Sequence, residues 1–167
     1  MENRYWFVTI GWSSAAAYNT LWAAKLEHDI IPSKITVFRL IPTEDRDRII
    51  TKLDRAYNDF MCWLDRFEDE VGVSIEKETI KYAEEDYEEY RDGFVQEIKD
   101  VPANCEIVID VTPGRKFVSA LGLTYGWYQK AEHVFYLHLL DDKYLNRPLP
   151  EIPVMEYKLR DFARGAQ

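Results

Sequence analysis

Short runs rich in β-branched and aromatic residues alternate here with longer stretches of helical period. That alternation constrains the fold more than any other feature of the sequence. Residues 5–10 (YWFVTI) form an apolar run closed by Gly11, Ser13 and Ser14. Residues 15–28 read as a helix with Ala15, Ala16, Ala17, Leu21, Trp22 and Leu26 along its apolar stripe, and Pro32 and Ser33 end it. Residues 35–40 (ITVFRL) read as a second strand. Thr43 is placed to cap the next helix, with Glu44 and Asp45 suited to its first-turn dipole. Through 44–70, Ile49, Leu53, Tyr57, Phe60, Leu64 and Phe67 recur at steps of three or four, one face of an amphipathic helix. Residues 71–75 are expected as a short strand. Tyr87, Tyr90, Phe94 and Ile98 then mark another helix from about residue 83, ended by Pro102. Residues 106–111 (EIVIDV) read as a buried strand, 115–130 as a helix, and 133–140 (HVFYLHLL) as the last strand. The pattern predicts an α/β fold over 1–167 as one domain: a Rossmann-like, open, mostly parallel sheet with helices on both faces.

Charge narrows the function classes. The chain has 167 residues, 30 acidic against 21 basic side chains, and a formal net charge of −9. Such acidity argues against coating duplex DNA, which requires clustered Lys and Arg. The excess is uneven. Residues 76–100 hold ten acids against four bases, a run expected to be the solvated outer face of a helix. Residues 111–130 contain Arg115, Lys116 and Lys130 and no acid. No apolar run approaches the ~20 residues of a membrane span, and MENRY does not open a signal peptide. Cys62 and Cys105 are too few for a disulfide framework and read as small buried hydrophobes, in keeping with a cytoplasmic setting. His28, His133 and His138 have no metal-ligand spacing, so neither metal nor cofactor is expected.

In open parallel sheets ligands bind beyond the carboxyl ends of the strands, near a reversal of strand order. Two such ends carry suitable chemistry. Gly11-Trp12-Ser13-Ser14 follows the first strand, and its hydroxyls can cap a helix or donate to an anion. It lacks the second and third glycines of a dinucleotide fingerprint. Asp110-Val111-Thr112-Pro113-Gly114-Arg115-Lys116 follows a later strand and opens a helix. Two cations at a helix N-terminus oppose the dipole and call for a compensating anion, either a ligand or a neighbour such as Asp110.

Together, Gly11-Trp12-Ser13 and Asp110-Val111-Thr112-Pro113-Gly114-Arg115-Lys116 resemble the two motifs of CRISPR-associated Rossmann-fold (CARF) domains, the cyclic oligoadenylate sensors of type III CRISPR systems. Two departures stand out. Pro113-Gly114 replaces a usual glycine pair, and Trp12 stands where threonine is common. The chain length resembles the stand-alone ring nucleases, which linearise cyclic tetra-adenylate. The resemblance implies a homodimer, with the ring across a two-fold axis, and cleavage by a ribose 2′-hydroxyl without a metal. It assigns Lys116 to the phosphate oxygens with Arg115 in support, and Ser13 to the ribose or phosphate with Ser14 as alternate. Gly11, Trp12, Thr112 and Gly114 would line the site, and Lys143 and Tyr144 would cover the ring. A binding-only sensor would need the same loops. An unrelated α/β binder of a phosphorylated metabolite, or a scaffold docking a basic partner on the acidic run, are the other readings.

Overall fold

The computed structural model describes residues 3–42, 47–83 and 85–163. Among these, six strands form one sheet: β1 (Arg4–Ile10), β2 (Lys34–Ile41), β3 (Glu76–Ala83), β4 (Glu106–Asp110), β5 (His133–Leu139) and β6 (Tyr157–Asp161). Their order is β3-β2-β1-β4-β5-β6. The first five are parallel, and β6 runs antiparallel to β5. The chain builds outward from β1 to β3, then returns to place β4 on the other side of β1. Strand order therefore reverses between β1 and β4.

Four helices cover the two faces: α1 (Ser14–His28), α2 (Asp47–Val71), α3 (Tyr87–Lys99) and α4 (Lys116–Tyr128). β1 is mostly apolar from Trp6 to Ile10 because both of its faces are buried there. Trp6, Val8 and Ile10 pack under α1 and α2 with Phe60, Leu64 and Phe67 of α2. Phe7 points the other way, into a core with Phe94 of α3 and Val118 and Leu121 of α4. Each large apolar side chain buried this fully contributes about 1.5–3 kcal/mol. Ser13 caps α1 by accepting from the Ala16 N–H, and Asp86 caps α3 by accepting from the Glu89 N–H. α4 lies close against β4 and requires glycine there. A Cβ on Gly122 would come within 2.8 Å of Val111 Cγ1.

Several expectations change. Residues 71–75 are not a strand: α2 runs to Val71, and the strand begins at Glu76. The acidic run is therefore divided between edge strand β3 and α3 rather than forming one helical face. Glu76 and Glu78 of β3 bond the Lys34 ammonium of β2 at 3.1 and 2.8 Å. The last strand is not 133–140, because β6 pairs outside β5. Arg115 is the residue before α4 rather than its first turn, and the helix ends at Tyr128. Cys62 is exposed and Cys105 partly exposed, so neither is a core residue. Thr43, Glu44 and Asp45 lie outside the described residues, as does the side chain of Ile49.

Candidate functional site

At the reversal, the loops after β1 and β4 meet. A Cβ on Gly11 would stand 2.4 Å from the Pro113 carbonyl oxygen, so the contact between the two backbones requires glycine. Above this junction opens a cavity of about 1110 Å³. That exceeds the ~300–1,000 Å³ of a small-molecule pocket. Of the residues picked out from sequence, Gly11, Trp12, Ser13, Thr112, Gly114, Arg115 and Lys116 line it. Ser14 does not: it lies in the first turn of α1. Lys143 and Tyr144 also stay off the wall, on a turn beside it. Lys143 pairs with Asp141 there, while Asp142 and Leu145 face the cavity.

The floor is held by hydrogen bonds. Asp110 is buried, and its Oδ1 accepts from the Thr112 N–H at 2.8 Å. Thr112 Oγ1 accepts from the Leu137 N–H of β5 at 2.9 Å and lies 2.9 Å from Thr20 Oγ1 of α1. One hydroxyl thus ties β4, β5 and α1 together beneath the cavity. Burial raises the Asp110 carboxyl to about 7, against the lowering effect of its bonds to the Thr112 backbone and hydroxyl and to Thr20. Its Oδ2 has no hydrogen-bond partner. Asp110 turns inward to the floor, so it is not the anion that offsets Lys116.

The cationic wall is α4. No side chain caps its N-terminus and its first turn has no acid, so its leading N–H groups and the Lys116 ammonium present positive charge together. Among the described residues Lys116 has no ion-pair partner. Ser13, by contrast, is engaged. It accepts from the Ala16 N–H at 3.3 Å and donates to the Leu145 carbonyl over a long 3.4 Å.

The fold also brings into the wall residues to which the sequence pattern assigns no ligand role. Asn19 is buried, donates to the Arg147 carbonyl at 2.8 Å, and leaves its Oδ1 without a partner. Tyr136 and His138 enter from β5. Strand order, which the sequence pattern does not reveal, is what sets the last two beside the loops. Nothing in the sequence marks Asn19, which lies mid-helix. Among the described residues no cluster of His, Cys, Asp and Glu is arranged to hold a metal ion, and no helix is long and apolar enough to cross a membrane.

No protein-family model and no curated protein matches this chain. Solved structures do. A type III CRISPR defence DNA nuclease activated by cyclic oligoadenylate aligns with 95% of this chain at 13% identity and a TM-score of 0.53. This chain spans 21% of that nuclease. The protein SCL7 of Oryza sativa aligns with 86% of the chain and 38% of its own at 12% identity, with a TM-score of 0.41. At 13% identity the first likeness is one of fold: the chain is a Rossmann-like α/β protein built like part of that nuclease.

Proposed function

We propose that this chain is a CARF-type domain that binds cyclic oligoadenylate in the cavity between β1 and β4 and linearises cyclic tetra-adenylate. The observation that carries the reading is Lys116. It is an ammonium at an uncapped helix N-terminus, on the wall of the cavity at the strand reversal, with no ion-pair partner among the described residues. Such a site suits a phosphodiester. The fold shared with part of a cyclic oligoadenylate-activated nuclease supports the choice of ligand.

Two copies related by a two-fold axis would present the same loops twice to a ring of four nucleotides. In each active half, a ribose 2′-oxygen attacks the neighbouring phosphorus and loses its proton to solvent. The bond from phosphorus to the 5′-oxygen breaks, and that oxygen takes up a proton. The product ends in a 2′,3′-cyclic phosphate and a 5′-hydroxyl. The nucleophile belongs to the substrate, so the chain's task is to orient the ring and stabilise charge on the phosphate. Lys116 holds the phosphate oxygens, Arg115 supports it, and the N–H groups from Gly114 into α4 line the floor. Trp12 flanks the phosphate on the β1 side. Ser13 exchanges its long bond to Leu145 for a ribose or phosphate oxygen while it keeps capping α1. Thr112 acts from below, by holding the loop.

Incubating the purified chain with cyclic tetra-adenylate in EDTA, with separation of the products, tests this reading. Linear species ending in 2′,3′-cyclic phosphate are expected. An intact ring that stays bound would make the chain a sensor, and no interaction with any cyclic oligoadenylate would refute both.

A further inference from the structure

The cationic wall is flanked by unused aromatic surface. Along β5, Tyr136 and His138 point to the same side of the sheet, and both reach the cavity. Their rings stack at 6.3 Å and 28°. Tyr136 in turn stacks on Phe162, just past β6, at 6.3 Å and 21°. The three rings form one nearly parallel row that ends at the cavity. These are not core residues: Tyr136 is 38% and Phe162 36% exposed. Water therefore reaches ring surface that the fold could have covered.

Cations share this face. In the β5–β6 ladder Tyr136 lies opposite Arg160, and His138 opposite Lys158. Directly opposed residues of an antiparallel pair project to the same side. Lys158 and Arg160 are exposed, and among the described residues neither has an ion-pair partner. In a chain of net charge −9, this patch sets a base opposite each of the two β5 rings. Rings alternating with cations suit a nucleotide chain, whose bases stack while its phosphates pair with Lys and Arg.

We propose that the outer face of β5–β6 is a second nucleotide subsite, where a purine base stacks on Tyr136 and His138 and the flanking phosphate pairs with Lys158 and Arg160. Resting on the function proposed above, it specifies how one protomer takes two nucleotides of the ring. The phosphodiester sits at Lys116, with one base on the Trp12 side and the next on the β5 side. The order β1-β4-β5 sets that sequence, because the cationic loop follows the middle strand.

Titration of cyclic tetra-adenylate into the wild type, Tyr136→Ala, Tyr136→Phe and the double variant Lys158→Glu/Arg160→Glu tests the subsite. Thermal melts of each protein check folding. Tyr136→Ala should raise Kd on the order of tenfold, while Tyr136→Phe, which keeps the ring, stays near wild type. The double variant should bind more weakly, with a shallower dependence of affinity on salt. A folded Tyr136→Ala protein that binds the ring as tightly as wild type overturns the subsite alone. A wild type that ignores the ring overturns the proposed function and the subsite with it.

Discussion

The β2–β3 edge and the cavity at the β1–β4 reversal both contain basic side chains, but they use them in opposite ways. At the edge the lysines serve the fold. Lys34 joins Glu76 and Glu78, and the bond to Glu78 leads in holding its ammonium above the ordinary lysine range. Lys77 is partly buried, which opposes its charge, yet Asp65 and Glu68 hold its pKa up. At the cavity, Lys116 lies against a helix dipole that repels it and forms no ion pair among the described residues. A cation kept where the fold gains nothing from it is one left for a ligand. The contrast singles out a candidate site that the net charge of the whole acidic chain conceals.

The comparison breaks most visibly at Lys116. Lys116→Ala should lower ring cleavage by about 10²–10³, with an unchanged melting temperature. A rate close to wild type would show that the unpaired ammonium has no part in the chemistry. Next comes the buried carboxyl under the site. Burial raises Asp110 to about 7 from its ordinary 3.8. Between those values the folded chain holds more protons than the unfolded one, so stability falls as pH rises through this window and levels off above about 7. Asp110→Asn should remove that slope and gain on the order of a few kcal/mol at pH 8 relative to pH 4. Urea melts of both proteins that run parallel across this range would contradict it.

A smaller effect is expected where the two loops touch. Gly11→Ala pushes a methyl against the Pro113 carbonyl, and overpacking of this kind costs about 1–3 kcal/mol. It should also weaken ring binding, because the loops that flank the cavity must part. Full affinity in a destabilised variant would separate the junction from the site. The smallest change belongs to the edge. Lys34→Met should cost at most about 1 kcal/mol in a chemical melt, since its partners are largely solvated, and leave ring cleavage intact.

Most of the central sheet was legible in the sequence because β1, β2 and β4 are largely buried on both sides, and β5 over its first three residues, so that they read as mostly apolar runs. β3 was not legible. Its sequence EKETIKYA alternates charge with partly buried positions, and its pairing depends on Lys34, which is distant in sequence. β6 was hidden by its brevity and by the irregular turns before it. At the site, the two loops stood out because turn residues and cations fall together after strands. Tyr136, His138 and Asn19 become neighbours of those loops only through strand order and helix packing, which single-sequence periodicity does not convey. The capping role of Ser13 was legible in the sequence. The structure gives it the capping bond and also the weak bond to Leu145, the one a ligand would replace.

If Lys116 is reserved for a ligand while the edge lysines serve the fold, the two positions must differ in ring binding. Calorimetric titration of cyclic tetra-adenylate into wild type, Lys116→Glu and Lys34→Glu measures this directly. One ring per two chains is expected for wild type and Lys34→Glu, with little or no heat of binding for a folded Lys116→Glu. Equal binding by wild type and Lys116→Glu, or no binding by any of the three, would contradict it.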